Sequence, residues 1–370
     1  MLFRSIDGKI AAAGIITLLF ASTSLPFMML AYLLRGVDVF MMLRIFASIL
    51  AAGVGASYLA LVFGSLNISK AFRILFVVGL VQVALPMGGA LAVAGATTEF
   101  HLGQAVLALA GIATVCAIAR AFAAAGISPP HANSAYLLRR VVLAAWILWG
   151  AIAFIAAFVC GEASFGVLWG VLSMVAAGFM LLHAVSSKSG NSRRVLAEAS
   201  RRFRIRLLQY PLFTGAENGI AFAVLLGVAT LVGFVGFASL AEASSRLRGS
   251  DTGEALVVLA LLLTYPAAYL LSARLVWERF LRGAMNARYV GVLGLGLGAL
   301  LSSLPYLLTI QTGGTAQNVA QLFPGNLAGA LFSVENNDGQ ALMHILVAAA
   351  WSLGCLLLLM PRLRRSFADF

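Results

Sequence analysis

Ten runs of about twenty apolar residues follow one another along the 370-residue chain. Each is the length a helix needs to cross the hydrocarbon core of a bilayer. They fall at residues 10–34, 41–63, 74–93, 104–123, 141–160, 165–184, 211–240, 255–275, 289–310 and 341–360. An open strand in lipid would leave its backbone N–H and C=O groups unpaired, so each run has to be a helix. The chain is therefore expected to be all-α, a polytopic helical transmembrane bundle of about ten spans. Only 10% of its residues are charged, where a soluble domain carries about a quarter.

One long polar stretch interrupts this pattern, residues 186–208, SSKSGNSRRVLAEASRRFRIRLL. It holds Lys188, Arg193, Arg194, Arg201, Arg202, Arg204 and Arg206 against a single acid, Glu198. Basic residues beside spans resist translocation, which places this stretch on the cytoplasmic side. Counting spans outward from it puts both termini in the cytoplasm, in a multi-pass protein of the cytoplasmic membrane. All of the 25 basic residues then lie inside except Arg35, Arg44, Arg246 and Arg248, an asymmetry that one missed span would scramble. The net charge of +12 is thereby explained by topology and implies no nucleic acid. In the second half of the stretch Leu196, Ala199, Phe203, Leu207 and Tyr210 share a helical face, with arginines on the others. Two readings fit. It is an interfacial helix whose Arg201, Arg202, Arg204 and Arg206 meet anionic lipid, or it is a solvated connector between two bundles.

The expected organisation is a first bundle of about six spans at residues 1–185, the basic linker or interfacial helix at 186–208, and a second bundle of about four spans at 209–370. The run 211–240 is too long for one span, about 45 Å as a helix against a core of about 30 Å. Pro211 and the sequence TGAENG at 214–219 break it early, so the span proper is expected from Gly219 onward. Residues 311–340 form the longest outer loop, with a short helix expected on the outer surface at 326–332. Residues 126–135 read as a plain linker. No cleavable signal peptide is expected, because the first apolar run is long enough to span.

Catalytic and cofactor motifs are absent. Gly8–Lys9 lacks the upstream glycine and the hydroxyl residue of a nucleotide-binding loop, and no zinc-hydrolase or nucleophile-elbow motif occurs. Cys116, Cys160 and Cys355 fall in apolar runs without metal-ligand spacing, as buried reduced thiols would. His101, His131, His183 and His344 are scattered at span ends and loops, with no joint role expected. Glu217, beside Asn218, is a carboxylate in an apolar segment. It either lines the inner mouth of a pathway or pairs with an arginine, or it caps the helix that follows, where the dipole favours a negative charge. Gly294 and Gly298 have the spacing of a close helix crossing, expected within the chain rather than between copies.

Residues 24–72 resemble the permease subunits of type-2 ABC transporters. The stretch LPFMMLAYLLRGV at 25–37 matches that family's "LPF…AYL.GGV" span exit, with Arg35 in place of a glycine, and Gly64–Ser65 through Lys70–Ala71 matches its inner turn. Ser5–Ile6–Asp7–Gly8–Lys9 is similar to the end of a cytoplasmic element that helps contact the ATPase, and LFTGAENG at 212–219 to a span start of larger members. The apolar C-terminal span ending in Arg362–Arg365 is also typical of the family. Members carry an amphipathic helix and two spans ahead of that element. Here this front end is expected to be missing or supplied by another chain. The resemblance implies a transport permease that is not itself an enzyme, its ATP hydrolysed by a separate subunit touching Asp7, Lys9, Lys70 and Arg73. Membrane lipids, and a second membrane subunit or a second copy, are the other partners expected. Three other classes stay open. One is a flippase driven by an ion gradient, one a non-transporting accessory subunit, and one a membrane enzyme acting on lipid or polyprenyl substrates.

Overall fold

The structure, a computed structural model, describes residues 2–33, 46, 53–55, 57–58, 102–128, 132–187, 193–199, 202–243, 252–312, 325–336 and 338–369. Among them the regular structure is helical, with no strand. Among the described residues seven helices are long and apolar enough to cross a membrane, and an eighth apolar helix is shorter. The protein is thus a helical membrane bundle, multi-pass by length and composition. The expected spans at 41–63 and 74–93 fall almost wholly outside the described residues.

The chain divides into two compact units, Met1–Pro130 and His131–Phe370. The division at Pro130 lies in the loop read as a plain linker, whereas sequence patterning puts the first boundary at 185. The first unit contains α1 (Leu2–Leu33) and α2 (Leu102–Ile127). Ile10 of α1 packs on the small residues Ala123 and Ala124 of α2. Helices in lipid associate through such close contacts, since hydrocarbon supplies no hydrophobic drive between them.

The second unit runs α3 (Ser134–Cys160), α4 (Ser164–Val185), α5 (Arg193–Ala197), α6 (Phe203–Gln209), α7 (Ala216–Ala243), α8 (Thr252–Val276), α9 (Val290–Thr312), α10 (Leu327–Asn336) and α11 (Asp338–Asp369). A π-helical turn, Trp277–Leu281, extends α8. Helices α4 and α8 are central. Helix α4 packs on α3, α7 and α8, and α8 also packs on α9, α10 and α11. Thus α4 and α7, on either side of the basic stretch, lie against one another.

Two larger apolar clusters lie within this unit. One joins Ala157, Met174, Phe234, Phe237 and Leu259. The ring of Phe154 stacks on Phe237, centroids 5.2 Å apart and planes 3° from parallel. The other joins Leu261, Tyr265 and Tyr269 of α8 to Ala330 and Val334 of α10 and to Ala341 and Ala348 of α11. Helix α10 is the short helix expected at 326–332, but it is packed into the bundle rather than laid on a surface, because its small residues Ala330 and Ser333 let it approach and are fully buried.

The glycine pair behaves as an internal crossing. A β-carbon on Gly294 would stand 2.7 Å from Leu270 Cδ2 and 3.2 Å from Leu270 Cα, and one on Gly298 would stand 2.8 Å from the Tyr269 ring. Gly296, on the other face, has nothing within 4 Å. Gly294→Val is therefore expected to destabilise by about 1–3 kcal/mol through overpacking. Gly296→Ala is expected to be neutral, or to stabilise by up to about 1 kcal/mol through helix propensity. Thermal unfolding of the two variants in one detergent tests the contrast, and equal midpoints would contradict the crossing.

Candidate functional site

The end of the second unit that carries the basic stretch also collects its buried charges. Helix α3 starts at Ser134, earlier than the apolar run suggests, and so includes Arg139. Arg139 is 2% exposed. Its Nη1 donates to the carbonyls of Pro211 (3.0 Å) and Phe213, and its Nη2 to that of Gly215 (3.3 Å). These carbonyls belong to the break before α7. There Tyr210–Leu212 is a 3-10 turn, Phe213 is extended and Gly215 has φ 121°, a conformation glycine adopts without strain. Non-helical backbone at this depth is tolerated only when its polar groups are paired. The guanidinium, with five donors in a fixed fork, supplies that pairing. Asn133 Oδ1 accepts from the Thr214 N–H at 3.0 Å, so the supposed plain linker holds the break as well. A β-carbon on Gly219 would lie 2.6 Å from both Arg139 Nη2 and Ala184 Cβ. Glycine there lets α7 close on α4 and on the arginine.

Glu217 and Asn218 stand in the first turn of α7, 7% and 0% exposed. The position suits a carboxylate, because unpaired N–H groups and the dipole put partial positive charge there. Asn218 Oδ1 accepts from Ser366 Oγ of α11 at 3.2 Å. Its Nδ2 is buried with no hydrogen-bond partner among the described residues. A buried donor left bare costs about 1–3 kcal/mol. Tyr210 closes the cluster from the side, its ring edge-on to Phe367 at 5.2 Å. Burial pushes the Tyr210 phenol above its ordinary value; the Ser366 hydrogen bond acts against this and the Glu217 charge adds to it. The phenol stays neutral at physiological pH.

A second buried arginine repeats the device. Arg274, 1% exposed at the end of α8, donates Nη1 to the carbonyls of Val185 (2.9 Å) and Ser187 (3.1 Å), the open end of α4. Its Nε donates to Glu278 Oε1 at 2.9 Å, and the other oxygen of Glu278 meets Arg362 Nη1 of α11. The Arg274 guanidinium lies 4.8 Å from the Trp277 ring centroid, and Trp277 Nε1 donates to the Met285 carbonyl at 2.7 Å. Three helices, α4, α8 and α11, are tied through one carboxylate.

Deeper in the unit the Tyr265 hydroxyl and His344 Nδ1 share a hydrogen bond of 2.6 Å, both side chains fully buried. Tyr269 donates to the Gly325 carbonyl, and Trp351 Nε1 to Ser272 Oγ at 2.8 Å. His344 is thus a core residue with a partner and not an interfacial histidine. Cys355 is buried, but Cys160 is exposed at the end of α3.

The remaining residues singled out by sequence are dispersed. Lys9 is exposed on α1, and Asp7 lies on the same helix; Lys70, Arg73 and Arg201 lie outside the described residues. Arg202 and Arg204 are exposed and Arg206 is half-buried. The single amphipathic helix of the basic stretch is two short helices with a break between them. Leu196 and Ala199 pack with Val195, Tyr210 and Phe213 in a small core, while Phe203, Leu207 and Leu208 are exposed. Compared with known proteins, the chain matches no family model, no curated protein and no solved structure.

Proposed function

We propose that the chain is the permease subunit of a transporter whose ATP is hydrolysed by a separate subunit, as its resemblance to type-2 ABC permeases implies, and that its basic end faces the cytoplasm. The observation that carries the transport reading is the pair at the start of α7. Glu217 and the bare Nδ2 of Asn218 lie buried at a broken helix entry whose carbonyls Arg139 pairs. Ionisable and polar groups at interrupted helices are where membrane transporters contact what they move. The supply of energy from another chain follows from the resemblance and from the lack of a nucleotide-binding loop in the sequence.

The test begins with purification in mild detergent and identification of a copurifying ATPase, crosslinked near Lys9 or Lys70. Asn218→Leu and Glu217→Gln are then compared in the complex for ATP turnover and thermal midpoint. A pathway role predicts that Asn218→Leu raises or keeps the midpoint, since it removes a bare donor, while turnover falls at least about tenfold, the size of a lost charge-assisted contact. Normal turnover in both variants would remove the pathway role and leave Glu217 as a helix cap. A flippase driven by a proton gradient is the second reading, favoured by the buried Tyr265–His344 pair. It predicts no ATPase partner, and activity that a protonophore abolishes.

A further inference from the structure

Beside the broken entry, α3, α6, α7 and the end of α11 surround a groove of about 480 Å³, the size of a site for a single organic ligand or chain, roughly 300–1,000 Å³. Leu143 and Trp146 of α3, Leu207 and Leu208 of α6, Leu225 of α7 and Phe367 of α11 line it. Along α7 it runs from Ala221 to Ala229, about 12 Å at the helical rise. The polar side chains on its walls direct their donors elsewhere, Trp146 Nε1 to Thr230 Oγ1 at 2.9 Å and the Tyr210 hydroxyl to the Leu363 carbonyl at 3.5 Å. The interior therefore offers a guest mostly hydrocarbon surface.

The surroundings of the groove have the opposite character. Residues three or four apart on a helix share a face. Arg140 stands one turn before Leu143, Arg204 one turn before Leu207 and Leu208, and Arg364 one turn before Phe367. All three arginines are exposed. They come from three different helices, and each helix also supplies a wall. Helix α6 holds no acid. An occupant with an apolar tail and an anionic head matches this arrangement, and an ordinary uncharged lipid matches only half of it.

We propose that the groove binds one anionic phospholipid, an acyl chain lying along α7 past Trp146 and the phosphate held by Arg140, Arg204 and Arg364. Such a lipid would brace α6 and the end of α11 against the break that Arg139 holds. The proposal requires only that the basic end meets a lipid leaflet, and it stands or falls independently of transport.

The full-length protein in mild detergent is titrated with phosphatidylglycerol or phosphatidylcholine brominated on one acyl chain, and tryptophan quenching is read against Trp146→Phe as the blank. The expected result is quenching of the Trp146 component at lower concentration by phosphatidylglycerol, with each arginine-to-glutamine change at 140, 204 or 364 reducing the preference about fivefold. These side chains are exposed, so the variants are expected to keep the parent's thermal midpoint. Ala221→Phe, which fills the groove, is expected to abolish the Trp146 component for both lipids. Should Trp146→Phe unfold, the same titration on Leu225→Trp reads the α7 side of the groove. Equal quenching by the two lipids, or a preference untouched by the triple glutamine variant, would overturn the headgroup assignment. Quenching unaltered in Ala221→Phe would overturn the groove itself.

Discussion

Arg139→Met is expected to unfold the entry to α7 and to lower the stability of the second unit by at least about 2 kcal/mol. Three carbonyls, those of Pro211, Phe213 and Gly215, accept from this one side chain. That of Gly215 also accepts from the Gly219 N–H at 3.1 Å, so the change takes the shown donor from two buried carbonyls, and a buried acceptor left bare costs about 1–3 kcal/mol. Gly215 is committed to a positive φ of 121°, which limits how far the break can rearrange. Arg139→Lys is expected to lose less. An ammonium has three donors and reaches one or two of the carbonyls, but it lacks the planar fork that spans all three. The order arginine, lysine, methionine in thermal midpoint, together with new protease cleavage between residues 208 and 215 in the methionine variant alone, is the expected pattern. A methionine variant as stable as the parent would mean that water or lipid headgroups satisfy the break.

The expectation about the break rested on Pro211 and the glycines around Glu217, and the structure has it there. How the break survives was less legible. Arg139 and Arg140 are adjacent in sequence and read as a topogenic pair, yet successive residues on a helix point about 100° apart. Ala135, Leu138, Arg139 and Val142 form the buried stripe of α3, whereas Arg140 is exposed, 5.4 Å from the Tyr136 ring centroid. The stripe was visible in the sequence once α3 was begun at Ser134 rather than at Val141. His344 was missed for a similar reason. Judged by position along the chain it is one of four scattered histidines; judged by helical face it belongs to the buried row Ala341, His344, Ala348, Ser352, Cys355 and Leu359. That row of mostly small and polar residues is the face α11 turns to α8. What patterning could not supply is which distant backbone each buried donor serves, since Arg139 and Phe213 are neighbours only after α3 and α7 have packed.

Glu278→Leu is expected to be nearly as damaging as the loss of Arg139, and the double variant Arg274→Met/Glu278→Leu less so. Glu278 is the one carboxylate shared by Arg274 and Arg362, its side chain 5% exposed and that of Arg274 1% exposed. Removing it takes from the buried Arg274 guanidinium the carboxylate that lies 2.9 Å from its Nε. Breaking a buried pair from one side costs about 3–5 kcal/mol. Replacing both partners with apolar side chains of similar size removes the charge with its partner, and such exchanges are often close to neutral. The carbonyls of Val185 and Ser187 would still lose their donor, so the double variant is not expected to recover fully. Arg362, its side chain 42% exposed, belongs to a different regime, and Arg362→Gln is expected to cost no more than about 1 kcal/mol. Thermal midpoints of the parent, Arg274→Met, Glu278→Leu and the double variant form a double-mutant cycle for the buried pair, with Arg362→Gln as the control. If the losses of Arg274→Met and Glu278→Leu simply add in the double variant, the carboxylate contributes nothing through Arg274. The guanidinium would then act only as a cap on the open end of α4, held by the two carbonyls and the face of Trp277.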